Sequence, residues 1–378
     1  MNIMFEIFSF NVGGIEKLII DMSNSLIQKG HKVWLCVIND DQTKSMIDSL
    51  NPGVTILELK RPIGNKNDFK YMRKLAKYVR KNHIDVIHCH GINCVIFSGL
   101  CKIGLHKPVI INTVHDSGNY PKYSNFKVQL ANLFLDKTIA ISDSVKAEIL
   151  ARNVPKDKVI TIHNAIDTRR FNHIDRHTSY NIEIKSCPII SSKIEIINVA
   201  RFYPDKKGQD LLIYAIEKLV PKIPTIHVTF AGDIFKGQQE NYDKLQKYIK
   251  NRDLTKYFTF LGNVNDVPAL LADGDIFVLP SRYEGFGISL IEALATGMPS
   301  IAANLEGPAE IMNATDKGNL SLGLLFTPGD ADDLANKIEQ LIDNYLCYDQ
   351  KSISEYIVNK YDMNTMISKH LSVYSELL

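Results

Sequence analysis

Short apolar runs alternate with amphipathic segments along almost the whole chain, and this alternation limits the possible folds more than any other sequence feature. The runs have the length of buried strands, and the segments between them repeat apolar residues at helical spacing. The predicted strands are residues 3–10, 33–38, 54–59, 85–89, 109–113, 138–141, 159–162, 194–200, 226–231, 258–261, 276–279 and 299–302. Strand–helix–strand order is typical of open, mostly parallel sheets covered by helices. The sequence therefore predicts the α/β class.

The alternation stops at residues 176–192, which are polar and irregular, and then restarts. A chain of 378 residues suffices for two domains of ordinary size. We predict two doubly wound, Rossmann-like domains facing a central cleft: residues 1–178, a linker at 179–192, and residues 193–362. A lone terminal helix at residues 363–378 is predicted to pack back on the first domain. Ligands of such folds bind at the carboxyl ends of the strands.

Charge is distributed unevenly between the two halves. Residues 1–180 contain 25 Lys and Arg against 16 Asp and Glu, a balance of +9, which leaves −7 for the rest of the chain. The predicted helix at residues 68–82 has an apolar face that includes Phe69 and a basic face. The basic face comprises Lys70, Arg73, Lys74, Lys77 and Lys81. This half is predicted to attach reversibly to an anionic membrane, although an ordinary amphipathic helix on the sheet fits the pattern equally well. We expect no nucleic-acid partner, because basic residues interleaved with aromatic ones are absent.

The cysteines and the N-terminus predict a cytoplasmic protein. No Cys-x-x-Cys pair is present, and most of the six cysteines lie in apolar runs, which is typical of reduced core thiols. They are Cys36, Cys89, Cys94, Cys101, Cys187 and Cys347. Residues 2–10 lack a basic leader and are predicted as the first strand rather than a signal peptide. No apolar stretch reaches the ~18–20 residues of a transmembrane helix, so any contact with the inner face of the cell membrane is expected to be peripheral.

A glycine turn between a predicted strand and helix is the main candidate for ligand binding. Gly285 and Gly287 follow the strand at residues 276–279 and precede a helical pattern, where free N–H groups favour an anionic ligand. Glu284 and Glu292 are eight positions apart, a rise of about 12 Å on a helix. That separation is too large for a glycosidase pair and suits hydroxyl groups on two parts of one elongated ligand. Taken alone, a capped helix with Glu292 in solvent explains the same residues.

Other candidate residues also follow predicted strands. Arg201 comes after the strand at 194–200, and Lys207 opens the next helix, so both are candidates to neutralise a diphosphate or are simply solvated loop charges. Residues 11–14 form a second glycine turn, which has neither the dinucleotide nor the Walker spacing and so indicates neither NAD nor ATP. His115 follows the strand at 109–113, where it would act as a hydrogen-bond donor or a base.

A metal site is not expected. His88, Cys89, His90 and His115, with Asp116, resemble a metal cluster, but His88 and His90 share one face of a strand while Cys89 points away. Zinc needs three or four convergent ligands.

Two Asp-x-Asp sequences have local explanations. Asp275 starts a predicted strand, and Asp330 follows Pro328-Gly329 as a helix N-cap. No metal or other cofactor is therefore predicted.

In combination, these motifs resemble glycosyltransferase family 4, retaining enzymes of the GT-B fold, over nearly the full chain. Glu284 to Glu292 looks like the family's Glu-x7-Glu signature, and residues 201–208 are similar to its Arg…Lys-Gly donor motif. Residues 11–16 look like its N-terminal glycine loop, and residues 113–116 contain its central histidine. The sequence departs from the family pattern at Ala165 and Glu306, where the family usually has glycine.

The resemblance implies a hexosyltransferase that moves a sugar, with retention, from a UDP-linked donor to a glycan or lipid-linked acceptor in bacterial surface polysaccharide synthesis. Arg201 and Lys207 would stabilise the leaving diphosphate in place of a metal. Glu284 and His115 would contact the donor sugar, and Glu292 would contact the ribose. The remaining donor-binding residues that it implies are Gly13, Gly14, Gly262, Asn263, Val264, Gly285, Phe286, Gly287 and Ile288.

Three alternatives share part of this pattern. A nucleotide-sugar 2-epimerase of the same fold would use the same phosphate contacts without an acceptor. A non-catalytic sugar-nucleotide binding protein would hold the donor unchanged. A polyphosphate- or nucleic-acid-binding protein would need basic charge around the phosphate site, whereas the second half of this chain is acidic.

Overall fold

The computed structural model describes residues 1–65, 68–104, 107–115, 117–118, 120–171, 193–314, 316 and 318–378. The chain divides into two compact units, one formed by Met1–Ile166 with Met363–Leu378 and the other by Asp167–Asp362. Each unit is built on a parallel sheet whose strands are joined through helices. The predicted α/β class with two doubly wound domains is confirmed. The predicted linker at residues 179–192 lies outside the described residues.

The first unit contains a seven-stranded sheet. Its strands are β1 (Asn2–Ile7), β2 (Lys32–Asn39), β3 (Thr55–Arg61), β4 (Val86–His90), β5 (Val109–Val114), β6 (Lys137–Ala140) and β7 (Val159–Thr161). The connecting helices are α1 (Gly14–Gln28), α2 (Lys44–Asp48), α3 (Phe69–Lys81), α4 (Ile92–Ser98), α5 (Asn125–Phe134) and α6 (Asp143–Leu150). The strand order is β3-β2-β1-β4-β5-β6-β7. The direction of winding reverses between β1 and β4, so the segments that follow these two strands meet at a topological switch point.

Burial on both faces explains why the central strands of this sheet are largely apolar runs. Ile3, Met4 and Phe5 of β1 are completely buried, and all six residues of β5 are buried. Parallel sheets covered by helices on both faces produce this pattern rather than an alternation of apolar and polar residues. Ile3 pairs with Val33 on one side of β1 and with Val86 on the other.

The second unit contains a six-stranded sheet. Its strands are β8 (Ile194–Val199), β9 (Ile226–Ala231), β10 (Phe258–Phe260), β11 (Ile276–Leu279), β12 (Ser300–Ala303) and β13 (Gly323–Phe326). Its helices are α7 (Pro204–Lys207), α8 (Gln209–Leu219), α9 (Gln239–Asn251), α10 (Val267–Ala272), α11 (Ile288–Ala295), α12 (Glu306–Met312), α13 (Ala331–Asp343) and α14 (Gln350–Lys360). The strand order is β10-β9-β8-β11-β12-β13, which places the switch point between β8 and β11.

The last helix, α15 (Met363–Leu377), belongs to the first unit, where it packs on α1. Met366, Ile367 and Tyr374 enter the core of that unit. The Met363 N–H donates to the Ile166 carbonyl at 3.0 Å, where the chain returns.

Strand positions follow the apolar runs closely, with two differences. β1 ends at Ile7 rather than at Phe10. Phe10 instead forms an isolated β-bridge with Gln42. β13 was missed by the sequence prediction, since Gly-Leu-Leu-Phe has no β-branched residue. The first residue of this strand, Gly323, must be a glycine, because a Cβ there would lie 1.8 Å from the Ser300 carbonyl oxygen of β12.

The cysteine prediction is confirmed for Cys36, Cys89, Cys94 and Cys101, which are free and buried. Cys347 is instead exposed, and Cys187 lies outside the described residues. In the part of the chain that the structure describes, no helix combines the length and the apolar character that crossing a bilayer requires.

Candidate functional site in the second unit

The switch point between β8 and β11 brings together the two segments that carry most of the predicted site. The segment after β8 contains Arg201 and Lys207, and the segment after β11 contains Glu284 and the glycine turn. Both strands are parallel, so both segments emerge at the carboxyl edge of the sheet, where doubly wound folds bind ligands. His115, Gly13 and Gly14 belong to the first unit.

Lys207 and Glu284 form an ion pair at this edge. Lys207 Nζ lies 2.8 Å from Glu284 Oε2, and the two side chains are 20% and 15% exposed. Ser281 Oγ donates a second, longer hydrogen bond of 3.4 Å to the same carboxylate oxygen. A cation and a carboxylate are therefore held side by side in a partly desolvated position, where phosphate and hydroxyl groups of one ligand are their natural partners.

The glycine turn leads directly into α11. Gly287 is the N-cap residue, with φ of 111°, and its carbonyl accepts hydrogen bonds from Leu290 and Ile291. This left-handed conformation favours glycine. The Phe286 side chain is buried and packs edge-on against Tyr361, with 5.7 Å between ring centroids. Phe286 can thus offer a ligand only its backbone, which fits the donor contacts that the family resemblance implies for it and for Gly285 and Ile288.

Glu284 and Glu292 are not joined by a continuous helix. Because α11 begins at Ile288, only half of the steps from Glu284 to Glu292 are helical. The rise of about 12 Å assumed a continuous helix and does not apply. The turn at Gly287 sets the separation instead.

The two departures from the family pattern cause no backbone strain. Ala165 is buried, and it is not among the residues with positive φ. Glu306 is exposed in the first turn of α12, whereas the close approach is made by the next residue, Gly307. A Cβ on Gly307 would lie 2.6 Å from the carbonyl group of Gly285. Gly307 therefore allows α12 to pack directly on the glycine turn.

Arg201 lies on an aromatic surface at the same edge of the sheet. Its guanidinium carbon is 4.9 Å from the centroid of Phe235, and Phe235 stacks on Tyr203 at 5.1 Å. The Gln209 side chain donates to the Arg201 carbonyl at 3.0 Å. The main chain is therefore anchored, while the exposed guanidinium keeps its charge available at the surface.

The segment at Gly262 and Asn263 borders a cavity that the sequence analysis missed. Asn263 N donates to Asp233 Oδ1 at 2.9 Å, and the Gly262 carbonyl accepts from Gly232 N at 2.7 Å. The cavity has a volume of about 370 Å³ and is lined by Phe202, Phe230, Gly232, Asp233, Ile234, Tyr242, Phe260 and Gly262. The recurrence of phenylalanine at the ends of β9 and β10 and just after β8 was the available sequence signal.

Histidines in the first unit

His115 directly follows β5 and is the outermost member of a row of stacked imidazoles. Its Nε2 lies 2.7 Å from Nδ1 of His90, and the two rings stack at 5.0 Å. His90 in turn stacks on His88 at 4.8 Å. Cys89 lies on the other face of β4, where its thiol donates to Glu6 at 3.8 Å. The predicted alternation along this strand is confirmed. The contact of His115 with a donor sugar stays a prediction.

Protein groups occupy both nitrogens of His88. Nδ1 is 2.6 Å from the Tyr374 hydroxyl of α15, and Nε2 is 2.6 Å from the Thr113 hydroxyl. Burial, reinforced by neighbouring histidines, holds the pKa values of His88 and His90 well below the usual range, so both are neutral. Asp116 lies outside the described residues. Among the residues that are described, no group of three or more His, Cys, Asp or Glu side chains has the geometry of a metal site.

The glycine turn of the first unit follows β1 at the switch point beside β4. Gly13 is the N-cap residue of α1, with an extended φ of −178° that any residue adopts, and Gly14 is the first helical residue. Asn11 accepts a hydrogen bond of 2.9 Å from the Thr43 hydroxyl. The predicted role of Gly13 and Gly14 in donor binding therefore rests on their place in the fold rather than on their dihedral angles.

Relationship to known proteins

Sequence comparison identifies the family. Residues 12–170 match the model of Glycosyltransferase Family 4, and residues 181–359 match that of the glycosyl transferases group 1. The chain is 23% identical, over 97% of its length and 95% of the relative's, to N-acetyl-alpha-D-glucosaminyl L-malate synthase of Bacillus anthracis. It is 25% identical to UDP-Gal:alpha-D-GlcNAc-diphosphoundecaprenol alpha-1,3-galactosyltransferase of Escherichia coli, over 84% and 82% of the two chains.

Solved structures show the same fold. The Anabaena protein HepE in complex with UDP superposes with a TM-score of 0.81 over 100% of both chains, at 20% identity. Its complex with UDP-glucose gives a TM-score of 0.79 at 21% identity, over 98% of this chain and 99% of that one. The predicted GT-B fold is thereby confirmed. The chain belongs to glycosyltransferase family 4 and is a glycosyltransferase.

Proposed function

We propose that this enzyme transfers a sugar from a UDP-sugar to a glycan or lipid-linked acceptor with retention of configuration. The observation that carries the proposal is the Lys207–Glu284 pair of 2.8 Å at the switch point of the second unit. A donor presents anionic phosphate next to sugar hydroxyls, and the pair offers a cation next to a hydrogen-bond acceptor. The names of the relatives support the donor class, since HepE binds UDP and UDP-glucose and the E. coli relative uses UDP-Gal.

In the proposed reaction, the bond between the anomeric carbon and the diphosphate oxygen of UDP breaks, the acceptor oxygen bonds to that carbon, and the proton of the acceptor hydroxyl passes to the departing diphosphate. Lys207 and Arg201 stabilise the negative charge that develops on the departing diphosphate. Glu284 accepts hydrogen bonds from hydroxyls of the transferred sugar. No side chain of the second-unit site stands out as a covalent nucleophile, which is consistent with attack from the face that the diphosphate leaves.

The uracil ring of the donor is proposed to lie beside residues 262–264. The Asn263 N–H is already bonded to Asp233, so a contact from this segment would use its carbonyl oxygens or the Val264 amide. Glu292 on α11 would bind the ribose hydroxyls. These assignments place the nucleotide along the carboxyl edge of the sheet.

The acceptor is proposed to be presented at a membrane surface during polysaccharide synthesis. Helices α3, α4 and α5 pack in one layer of the first unit with the 3-10 turn Gly99–Lys102. That layer exposes the apolar side chains of Phe69, Ile103, Phe126 and Leu133 and the basic face of α3. Apolar side chains among lysines fit an anionic bilayer. The diphosphoundecaprenol acceptor of the E. coli relative is of this lipid-linked kind.

Incubation with UDP-glucose, UDP-galactose and UDP-N-acetylglucosamine, with and without a polyprenyl-diphosphate-sugar acceptor, tests the proposal. We expect transfer that requires the acceptor. Lys207→Ala should lower kcat on the order of 10²-fold, as does the loss of one preorganised donor in other enzymes. Lys218→Ala, which removes an exposed lysine of the same unit, is the control and should leave kcat unchanged.

Two results would overturn the proposal. Isomerisation of the donor without acceptor would indicate an epimerase. Saturable donor binding with no turnover in the presence of any acceptor would indicate a binding protein.

A further inference from the structure

The loop after β11 is fastened to the start of α7 and the first turn of α8 by the side chain of Arg282. Its Nη1 donates to the Pro204 carbonyl and to Asp210 Oδ1, both at 2.7 Å, and its Nη2 donates to Asp210 Oδ2 at 2.7 Å. The Arg282 and Asp210 side chains are 29% and 19% exposed. Two parallel bonds from one guanidinium to one carboxylate fix orientation as well as distance.

The backbones of the two segments are also in direct contact. The N–H groups of Arg282 and Tyr283 both donate to the Lys206 carbonyl, at 2.8 and 3.2 Å. Gly208 has φ of 70°, and a Cβ there would lie 1.9 Å from the Pro280 carbonyl oxygen. Lys207 sits between these two contacts, so the position of its backbone depends on the loop that carries Glu284.

We propose that Arg282 is a positioning residue, which holds the Lys207 ammonium beside Glu284 by tying the β11 loop to the α7–α8 turn. This inference rests on the proposed role of Lys207 in binding the diphosphate. Lysine has a long flexible side chain, so the placement of its charge depends on a fixed backbone. A displacement of about 1 Å is enough to cost on the order of 10²-fold in rate at a preorganised site.

Titration calorimetry with UDP measures the effect without an identified sugar or acceptor. Arg282→Met should weaken UDP binding at least tenfold. Arg282→Lys should restore part of that affinity, because a lysine keeps the charge next to Asp210 but loses the planar fork. Arg252→Met is the matched control, since Arg252 pairs with Glu217 on the surface of the same unit, away from Lys207. The control should bind UDP as the wild type does.

A double-mutant cycle separates positioning through Lys207 from a general structural role. If Arg282 acts through Lys207, Arg282→Met should cause no further loss of UDP affinity in the Lys207→Ala background. Asp210→Asn removes the charge and one of the two acceptors of the same fork and should weaken UDP binding in the same direction as Arg282→Met, which keeps the test valid if the arginine variants fold poorly.

Three outcomes would overturn the inference. Arg282→Met and Asp210→Asn could both bind UDP as tightly as the Arg252→Met control while Lys207→Ala binds weakly. The losses from Arg282→Met and Lys207→Ala could instead be fully additive. If Lys207→Ala itself leaves UDP affinity unchanged, the proposed role of Lys207 fails first, and the inference fails with it.

Discussion

At the scale of single residues, Glu284 and Glu292 have different surroundings despite their shared signature. Glu284 lies in the loop before α11 and is paired with Lys207 and Ser281. Glu292 lies within α11 and is partly buried. Contacts with a reacting sugar can strengthen as charge develops, whereas contacts with a ribose stabilise ground and transition states alike. The two substitutions should therefore affect different kinetic constants.

Glu284→Gln should lower kcat by one to two orders of magnitude, whereas Glu292→Gln should mainly raise KM for the donor. Glu292→Gln should also weaken binding of UDP, while Glu284→Gln should not, because UDP lacks the transferred sugar and Lys207 keeps its charge. Kinetics with the transferred donor and calorimetry with UDP measure both effects. The exposed Glu355→Gln serves as the control. The assigned orientation of the donor would be wrong if Glu284→Gln lost UDP affinity and Glu292→Gln kept it.

Glu6 in β1 is a completely buried carboxyl group, bonded to Ser98 and approached by the Cys89 thiol. Burial raises its pKa to about 8, with the two hydrogen bonds acting in the opposite direction. The folded protein therefore keeps a proton that the unfolded chain loses above about pH 4.5. The resulting stability is complete below that pH and is lost as the pH rises towards 8, by about 5 kcal/mol in all.

The buried histidines have the opposite effect. The pKa of His370 is lowered to about 4 by burial, and the pKa values of His88 and His90 are also lowered. Their stabilising contribution is present above about pH 6.5 and is lost as the pH falls, because the unfolded chain then binds protons that the folded one does not.

We therefore expect the free energy of unfolding of the first unit to be largest between about pH 6 and 7. Glu6→Gln should remove the decline between about pH 6.5 and 8 and steepen the rise between about pH 4.5 and 6.5, where the carboxyl group otherwise opposes the effect of the histidines. Urea unfolding at pH 5, 6.5 and 8.5 measures this, with Glu355→Gln as a control that keeps the wild-type profile. An unchanged alkaline slope in Glu6→Gln would contradict the buried neutral carboxyl group.

At the scale of elements, α3 shows how an amphipathic pattern divides between core and surface. Leu75, Ala76 and Val79 are buried, and the five basic side chains predicted for the opposite face are all exposed. Phe69 was predicted on the apolar face but is 57% exposed, since it begins the helix beyond the edge of the buried stripe. The helix therefore adds an apolar side chain to its basic surface.

Replacing Lys70, Lys74 and Lys77 together with glutamine should weaken the affinity for phosphatidylglycerol vesicles by about 10²-fold, because each lysine near the surface contributes about 1 kcal/mol. Sedimentation with the vesicles measures this affinity. Binding should also fall as salt increases. The matched control replaces Lys244, Lys247 and Lys250, three exposed lysines of α9 in the second unit. Equal pelleting of the wild-type protein with neutral and anionic vesicles would rule out electrostatic attachment.

At the scale of the whole molecule, the acidic second half nevertheless presents cations at the proposed phosphate position. Arg201 and Lys207 follow β8, and one aspartate of each Asp-x-Asp sequence accepts hydrogen bonds from the backbone. Asp330 caps α13 by accepting from the N–H groups of Asp332 and Asp333, and Asp275 accepts from the N–H of Glu195. Charge on the departing diphosphate can therefore be stabilised by side chains.

We expect transfer to proceed unchanged in EDTA. The measurement is the initial rate with a UDP-sugar before and after exhaustive chelation, followed by addition of Mg²⁺ or Mn²⁺. Metal independence would be refuted by complete loss of activity in the chelator and its recovery with either ion.

Local sequence patterns determined which segments became strands and where the glycine turn lies. The predicted strands at residues 226–231 and 276–279 match β9 and β11 residue for residue, because strands that are buried on both faces consist mainly of apolar residues. The glycines before Ile288 likewise marked the start of α11, since Gly287 adopts a conformation that other residues avoid. Such features depend on a few neighbouring residues, so a single sequence contains them.

Only the tertiary structure decided which distant groups meet. Lys207 and Glu284 are 77 positions apart, Arg282 and Asp210 are 72 apart, and His90 and His115 are 25 apart. Periodicity shows that a residue is buried or lies at a strand end, but not which strand lies beside its own. That depends on strand order, and parallel neighbours are joined through long crossover connections. That order brings together Lys207 and Glu284, places Arg282 against Asp210 and forms the row of histidines.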